Sequence, residues 1–158
     1  MQALVKTATG PGLTLTEWAD PTPGPHDAVV KVAATSLCGT DAHIYRWDEW
    51  AQQRIYPPRI IGHELCGHVV EVGCEVSLVK VGDYVAAESH ITCGRCFQCR
   101  TGQAHVCKNY KILGIDRDGS YAQYVALPEG VLWHTASDIP PELACVQEPL
   151  GNAVDAAL

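Results

Sequence analysis

The chain has 158 residues, 47% hydrophobic and 18% charged, with a formal charge of −7. A chain of this length buries ~70% of its unfolded surface, enough for one core without disulfide staples, and its composition excludes intrinsic disorder. No apolar run reaches the ~18 residues of a membrane span, Met1–Lys6 lacks a signal-peptide apolar region, and the negative charge argues against a nucleic-acid partner.

These features predict a soluble, cytoplasmic domain. Its eight cysteines are then expected to be reduced, and clustered thiols in a reducing compartment point to metal or catalysis. The first ninety residues read as β structure. Gln2–Lys6 and Leu13–Trp18 are short runs separated by the turn signal Gly10-Pro11-Gly12. Pro21–Pro25 is a stiff connector, followed by a strand at Ala28–Ala34 with Val30 and Val32 on one face. Leu65–Val72 and Asp83–Ala87 continue the pattern around the turn at Val81-Gly82-Asp83, and Tyr121–Leu127 forms another strand closed by Pro128. Short strands at this spacing predict a barrel or sandwich. Thr40 or Asp41 caps a short helix through Ala42–Trp47, and Pro140–Leu158 reads as one or two helices, with Pro149 in the first turn of the second. That last helix stops without a capping signal, as if the chain were cut within an element.

The strongest chemical signal is Cys93-x2-Cys96-x2-Cys99-x7-Cys107. A two-residue spacer lets a tight turn aim two sulfurs at one ion, and four thiolates close a tetrahedral Zn²⁺ with no open position. This is the pattern of a structural site. Arg95, Arg100 and Lys108 would offset the negative charge of such a cluster.

A second constellation is Gly62-His63-Glu64-Leu65-Cys66-Gly67, weak in isolation. Cys38-Gly39-Thr40-Asp41 adds a cysteine between a strand and a helix start, where backbone N–H groups favour a thiolate, and Glu148 adds a carboxylate near the end. One Cys, one His and one or two Glu make a mixed-ligand zinc site with a labile position, the pattern of catalytic zinc.

Gly62-His63-Glu64-x2-Gly67-x5-Gly73-x2-Val76 matches the signature of the zinc-containing alcohol dehydrogenases at every fixed position. The four-cysteine segment resembles that family's structural zinc lobe. The chain is thereby similar, over its whole length, to the zinc-dependent medium-chain dehydrogenases. Within them, Cys38–Trp50, Glu88–Gly94 and Gly151–Val154 resemble the branch that oxidises L-threonine.

The resemblance implies a mainly β fold with short helices, a GroES-like β-barrel catalytic domain carrying a Cys-rich zinc lobe. It implies two zinc ions. Cys38, His63 and Glu64 would hold the catalytic one, Glu64 being exchangeable, and Cys93, Cys96, Cys99 and Cys107 the structural one. Adjacent His63 and Glu64 point apart on a regular strand, so a bend at Gly62 is expected. Thr40 and His43 would relay the alcohol proton, with Glu148 close to the metal serving that relay, and His90 would contact substrate. Trp47 and Trp50 are read as packing first and pocket wall second. His26, His68, His105 and His134 read as structural, and Cys66, Cys74 and Cys145 as small apolar fillers.

Two positions depart from the family pattern: Asp155 stands where relatives often have His, and Tyr84 where Arg is common. No Gly-x-Gly-x-x-Gly fingerprint occurs. The expected organisation is a zinc-binding catalytic domain at residues 1–148, with its lobe at about 90–110. Residues 149–158 would begin a linker helix to a Rossmann NAD-binding domain beyond Leu158, leaving no cofactor-binding residue in this chain, which would be inactive alone. The resemblance further implies a homotetramer when complete. Oxidation of a polyol or another secondary alcohol is the neighbouring alternative, and a non-enzymatic zinc module the distant one.

Overall fold

The computed structural model describes residues 1–158. Ten strands appear in chain order: β1 Gln2–Lys6, β2 Thr14–Glu17, β3 Asp27–Thr35, β4 Arg59–Ile60, β5 Leu65–Val72, β6 Tyr84–Ala87, β7 His90–Ile91, β8 Lys111–Ile112, β9 Tyr124–Pro128 and β10 Leu132–His134. Five helices accompany them: α1 Gly39–Arg46, α2 Glu49–Arg54, α3 Phe97–Arg100, α4 Pro141–Ala144 and α5 Gln147–Ala157. No helix is long and apolar enough to cross a membrane.

The main sheet has five antiparallel strands in the order β10-β6-β5-β3-β9. Alternation along β3 and β5 sends Ala28, Val30, Leu65 and Val69 into one core with Val85, Val125, Leu127 and Leu132. Val32 packs against that core on the same face as Val30. A second, three-stranded sheet runs β2-β1-β4, and β7 pairs with β8 alone.

The expected barrel is not closed by a continuous ladder. The two larger sheets are linked by the isolated bridge Ala3↔Ala122 and by Leu4 N–H donating to the Tyr121 carbonyl at 2.8 Å. The reason lies in residues 119–121, expected partly as strand. Their N–H groups turn to the loop before β5: Gly119 donates to Ile60 at 2.8 Å, Ser120 to Gly62 at 2.9 Å and Tyr121 to Ile61 at 2.9 Å. Regular pairing resumes only at Tyr124.

The helices also differ from expectation. The cap of α1 is Cys38, not Thr40 or Asp41, and Asp41 Oδ2 reaches back to accept from the Cys38 N–H at 2.9 Å. Trp47 ends α1 in the left-handed region, φ 59°, so Trp47 and Trp50 stand on different elements. Trp47 packs on the cluster of Ile44, Ala51, Ile55, Ile61 and Ile115, whereas Trp50 is exposed. Among the cysteines read as fillers, Cys66 and Cys145 are buried but Cys74 is exposed in the turn after β5. Tyr84 stacks on His68, ring centroids 4.9 Å apart, while its hydroxyl donates to Cys66 Sγ at 3.5 Å.

Arg54 on α2 grips Asp116 through two bonds of 2.6 and 2.7 Å, and Asp116 also accepts from the Ile112 N–H at 2.8 Å. The Arg54 hydrogen bonds hold the Asp116 carboxyl below the usual carboxylate range. Asp116→Asn is expected to cost about 1–2 kcal/mol at neutral pH, since part of the pair is solvent-screened. A lowered native pKa gives stability that is complete above about pH 4 and is lost as pH falls through the native value. Urea midpoints of wild type and variant should therefore differ at pH 7 and draw together as pH falls through the native value; a gap unchanged by acid would refute the assignment.

Candidate metal centres

His63 and Glu64 follow a sharp bend. Gly62 sits at φ +89°, and a Cβ there would lie 2.2 Å from Tyr121 Cδ1 and 2.8 Å from Ser120 Oγ. The segment 119–121 presses so closely that a Cβ on Gly119 would fall 2.1 Å from the Gly62 carbonyl oxygen. Only glycine fits this crossing. The bend frees both side chains from strand alternation, and both are buried. Cys38 arrives from the end of β3, at the cap of α1. The ligand atoms of Cys38, His63 and Glu64 all lie within 4.8 Å of one another.

Each carries support. Glu64 Oε2 accepts from Ser36 Oγ, and the Glu64 carbonyl accepts from Thr35 Oγ1 at 2.7 Å and from the Ser36 N–H at 3.1 Å. His63 Nδ1 stands 3.9 Å from Asp41 Oδ1, beyond hydrogen-bond reach, and both atoms are buried without a partner. A proton on Nδ1 aimed at that carboxylate leaves the Nε2 lone pair for a metal. Asp41 is otherwise held by the Cys38 N–H and by the Tyr121 hydroxyl, which donates to Oδ2 at 2.9 Å. Burial, then the Asp41 charge, pushes the Tyr121 phenol well above its usual range, so it stays a donor. The sequence points Asp41 to a helix cap and Tyr121 to a strand, with no further role for either. Only the Asp in Cys-Gly-Thr-Asp, three residues from a candidate ligand, was open to notice.

Three donors of these types fit zinc. In a tetrahedral site with bonds of ~2.0–2.3 Å, neighbouring ligand atoms stand about 3.2–3.8 Å apart, a small closure from the observed spread. The orphaned Nδ1 and Oδ1 atoms fit the same picture, because ordering of His63 by a metal would let them meet.

Thr40 Oγ1 lies 3.7 Å from Cys38 Sγ. His43, one turn further along α1, is exposed, and its Nδ1 pairs with Asp48 Oδ2. That hydrogen bond, then one from the Ala51 N–H, holds the Asp48 carboxyl below its ordinary range. Asp48 also caps α2, its Oδ1 accepting from Ala51 N–H at 3.1 Å. Thr40 and His43 are on one helix without a hydrogen bond between them.

Glu148 and His90 gather in a separate group with Glu88, ligand atoms again within 4.8 Å. Ser89 Oγ donates to Glu148 Oε1 at 2.6 Å and lies 3.0 Å from His90 Nδ1, which is 3.0 Å from Glu88 Oε1. His90 Nδ1 is thus occupied and Nε2 is left for other partners. Glu88 and Glu148 line a cleft of about 260 Å³ with Ala87, Trp133 and Gly151.

The four cysteines of the 90–110 segment converge. Cys96 Sγ is 3.5 Å from Cys99 Sγ and 3.9 Å from Cys107 Sγ, and all four sulfurs lie within 4.8 Å. Four thiolates ~2.3 Å from one ion stand about 3.8 Å apart. The N–H groups of Cys93 and Asn109 donate to Cys107 Sγ at 3.3 and 3.4 Å. The Arg95 N–H, then the Asn109 side chain, draws the Cys93 thiol down to about 6, and the Cys99 and Lys108 N–H groups lower Cys96. Desolvation, then the neighbouring thiols, pushes Cys99 up to about 12. Without a cation the sulfurs compete for charge; a divalent ion resolves that conflict. Residues 92–110 contain one buried side chain, Cys107.

Comparison with known proteins agrees with this architecture. The chain is 58% identical over its full length to L-threonine 3-dehydrogenase of Symbiobacterium thermophilum, and 55% identical to that of Pyrococcus horikoshii. It spans 45% of the length of each. Among solved structures it resembles galactitol-1-phosphate dehydrogenase from Escherichia coli, with TM-score 0.89 and 27% identity over 99% of this chain and 44% of that one. It also resembles a cobalt- and zinc-bound thermostable alcohol dehydrogenase from Pyrobaculum aerophilum, with TM-score 0.81 and 30% identity over 94% of this chain and 44% of that one. The family model described as the alcohol dehydrogenase GroES-like domain matches residues 24–138, a stretch that holds both cysteine-containing centres, and the chain belongs to that family.

Proposed function

We propose that this chain is the metal-binding catalytic portion of a zinc- and NAD-dependent dehydrogenase that oxidises the 3-hydroxyl of L-threonine to the ketone of 2-amino-3-ketobutyrate. The observation that carries the reading is the meeting of Cys38, His63 and Glu64 at a buried bend, beside a separate four-thiol cluster. Zinc, when bound, supplies a Lewis acid that lowers the pKa of an alcohol. The residues here would hold and shield the reacting group. Glu64, kept in place by Ser36, is the exchangeable oxygen donor. Thr40, next to the Cys38 sulfur, receives the hydroxyl proton and passes it through water to His43, which Asp48 keeps oriented. His90, grouped with Glu88 and Glu148, would contact substrate, and Glu148 would serve the proton relay.

In this reading residues 1–148 make up the catalytic domain, and α5, which runs across position 148, leads toward a nicotinamide-binding domain. The complete protein is a cytoplasmic homotetramer acting on a small alcohol. Threonine is favoured over other alcohols because the L-threonine 3-dehydrogenases match the full chain at more than half identity. The likeness to galactitol-1-phosphate dehydrogenase supports a polyol as the second reading.

Two measurements test this. Zinc per chain on the 158-residue protein should be two, with one ion lost rapidly to a mild chelator. One resistant ion would remove the catalytic site from the assignment. With a nicotinamide domain supplied, L-threonine should be oxidised faster than sorbitol, butanediol or ethanol, while the chain alone shows no NAD-dependent turnover above background. A threonine rate no higher than the butanediol rate would move the assignment to the polyol reading.

A further inference from the structure

Tyr121 touches the support of every ligand in the Cys38–His63–Glu64 group without reaching the group itself. Its hydroxyl shares one proton between Asp41 Oδ2 at 2.9 Å and the Ser36 carbonyl at 3.1 Å. Ser36 is the residue whose side chain holds Glu64, and Asp41 is bonded to the Cys38 N–H. The ring fills the space that a Cβ on Gly62 would need, one residue before His63. The Tyr121 N–H is fixed on the Ile61 carbonyl at 2.9 Å, so the phenol is anchored at both ends.

A second feature stands beside this anchoring. Asp41 Oδ1 and His63 Nδ1 are buried, unpartnered and 3.9 Å apart, with side chains only 3% and 8% exposed. A buried donor and acceptor left a fraction of an ångström short of a hydrogen bond form a contact waiting to close. The carboxylate has two oxygens, and either could face the imidazole. Tyr121 and the Cys38 N–H both take Oδ2, which leaves Oδ1 as the oxygen aimed at His63.

We propose that Tyr121 is a positioning residue for the exchangeable metal site: it locks Asp41 so that Oδ1 accepts the His63 Nδ1 proton when His63 takes up a metal. The inference rests on the reading of Cys38, His63 and Glu64 as metal ligands. Tyr121 acts on affinity and ligand geometry, because the imidazole of a ligand whose outer partner is misplaced loses both orientation and basicity.

The test is a zinc competition titration on the 158-residue chain with a chromophoric chelator, comparing wild type, Tyr121→Phe, Asp41→Asn and the double variant. Tyr121→Phe keeps the ring against Gly62 and removes only the hydroxyl. The exchangeable zinc should bind about tenfold more weakly in this variant, with the four-thiolate zinc unchanged as internal control. Because Tyr121 works through Asp41, the double variant should bind no more weakly than Asp41→Asn alone. Cobalt(II) at the exchangeable site gives a second readout, since a reoriented imidazole shifts the d–d bands of Tyr121→Phe, whereas general loosening only lowers their occupancy. Unchanged affinity and spectrum in Tyr121→Phe, or fully additive losses in the double variant, would overturn the inference while leaving the metal site standing. Absence of any exchangeable zinc in wild type would overturn the site and the inference together.

Discussion

Replacing Gly62 by alanine is expected to lower stability by about 2–5 kcal/mol and to empty the exchangeable zinc site. Two independent costs add. A side chain at φ +89° pays ~1–2 kcal/mol for the left-handed region. Its Cβ would also overlap Tyr121 Cδ1 at 2.2 Å. Forcing such a methyl into a filled space costs typically ~1–3 kcal/mol. Tyr121 has no easy retreat, being held through its hydroxyl and its backbone. At ~2–4 °C of melting temperature per kcal/mol, the variant should melt roughly 10 °C lower. It should also hold one zinc fewer than wild type, because the bend aims both His63 and Glu64. A thermal melt within ~2 °C of wild type would show that the crossing is softer than argued.

Converting Cys107 to serine is expected to unfold the 92–110 lobe while sparing the sheets. The lobe has one buried side chain, Cys107 itself, and leaves Phe97 75% and Val106 53% exposed. It therefore has no hydrophobic core to fold around, and zinc-binding free energy on the order of 10 kcal/mol must stand in for one. Losing even ~3 kcal/mol of that raises the open population, and with it the rate of limited proteolysis, about 100-fold. Cleavage should map to residues 92–110, and zinc should fall by one per chain with the remaining ion still quickly exchangeable. Resistance to protease equal to that of wild type would mean that protein contacts alone hold the lobe. Stripping the resistant zinc from wild type with a strong chelator should reproduce the same cleavage map.

Much of the frame was readable in the residues. Gln2–Lys6 and Leu65–Val72 are strands at the predicted bounds, because alternating branched side chains and flanking turn signals leave little ambiguity. The cysteine spacing foretold the convergence of four sulfurs, since two-residue spacers constrain geometry locally. Gly62 was readable as a bend because two neighbouring candidate ligands demanded one. What escaped notice depends on contacts between distant parts of the chain. Tyr121 reads like the first residue of a strand, and only its meeting with Gly62 and Asp41 diverts it. Helix α2 was missed because it is short, and its start depends on one side-chain bond from Asp48. The grouping of Glu148 with Glu88 and His90 needed the end of the chain to fold back beside β7.

The lobe departs from the domain at Ile91 and returns at Lys111, and these two residues face each other across the β7–β8 pair. Directly opposed residues on antiparallel strands sit about 5 Å apart, a gap that a two-residue hairpin spans. The whole cysteine excursion is thus topologically a single long loop, inserted where a short hairpin turn would suffice. Cys38, His63 and Glu64 all precede it in the chain. The strands of the main sheet and the Cys38–His63–Glu64 group therefore draw no residue from the excursion, which hangs on the fold by two adjacent points.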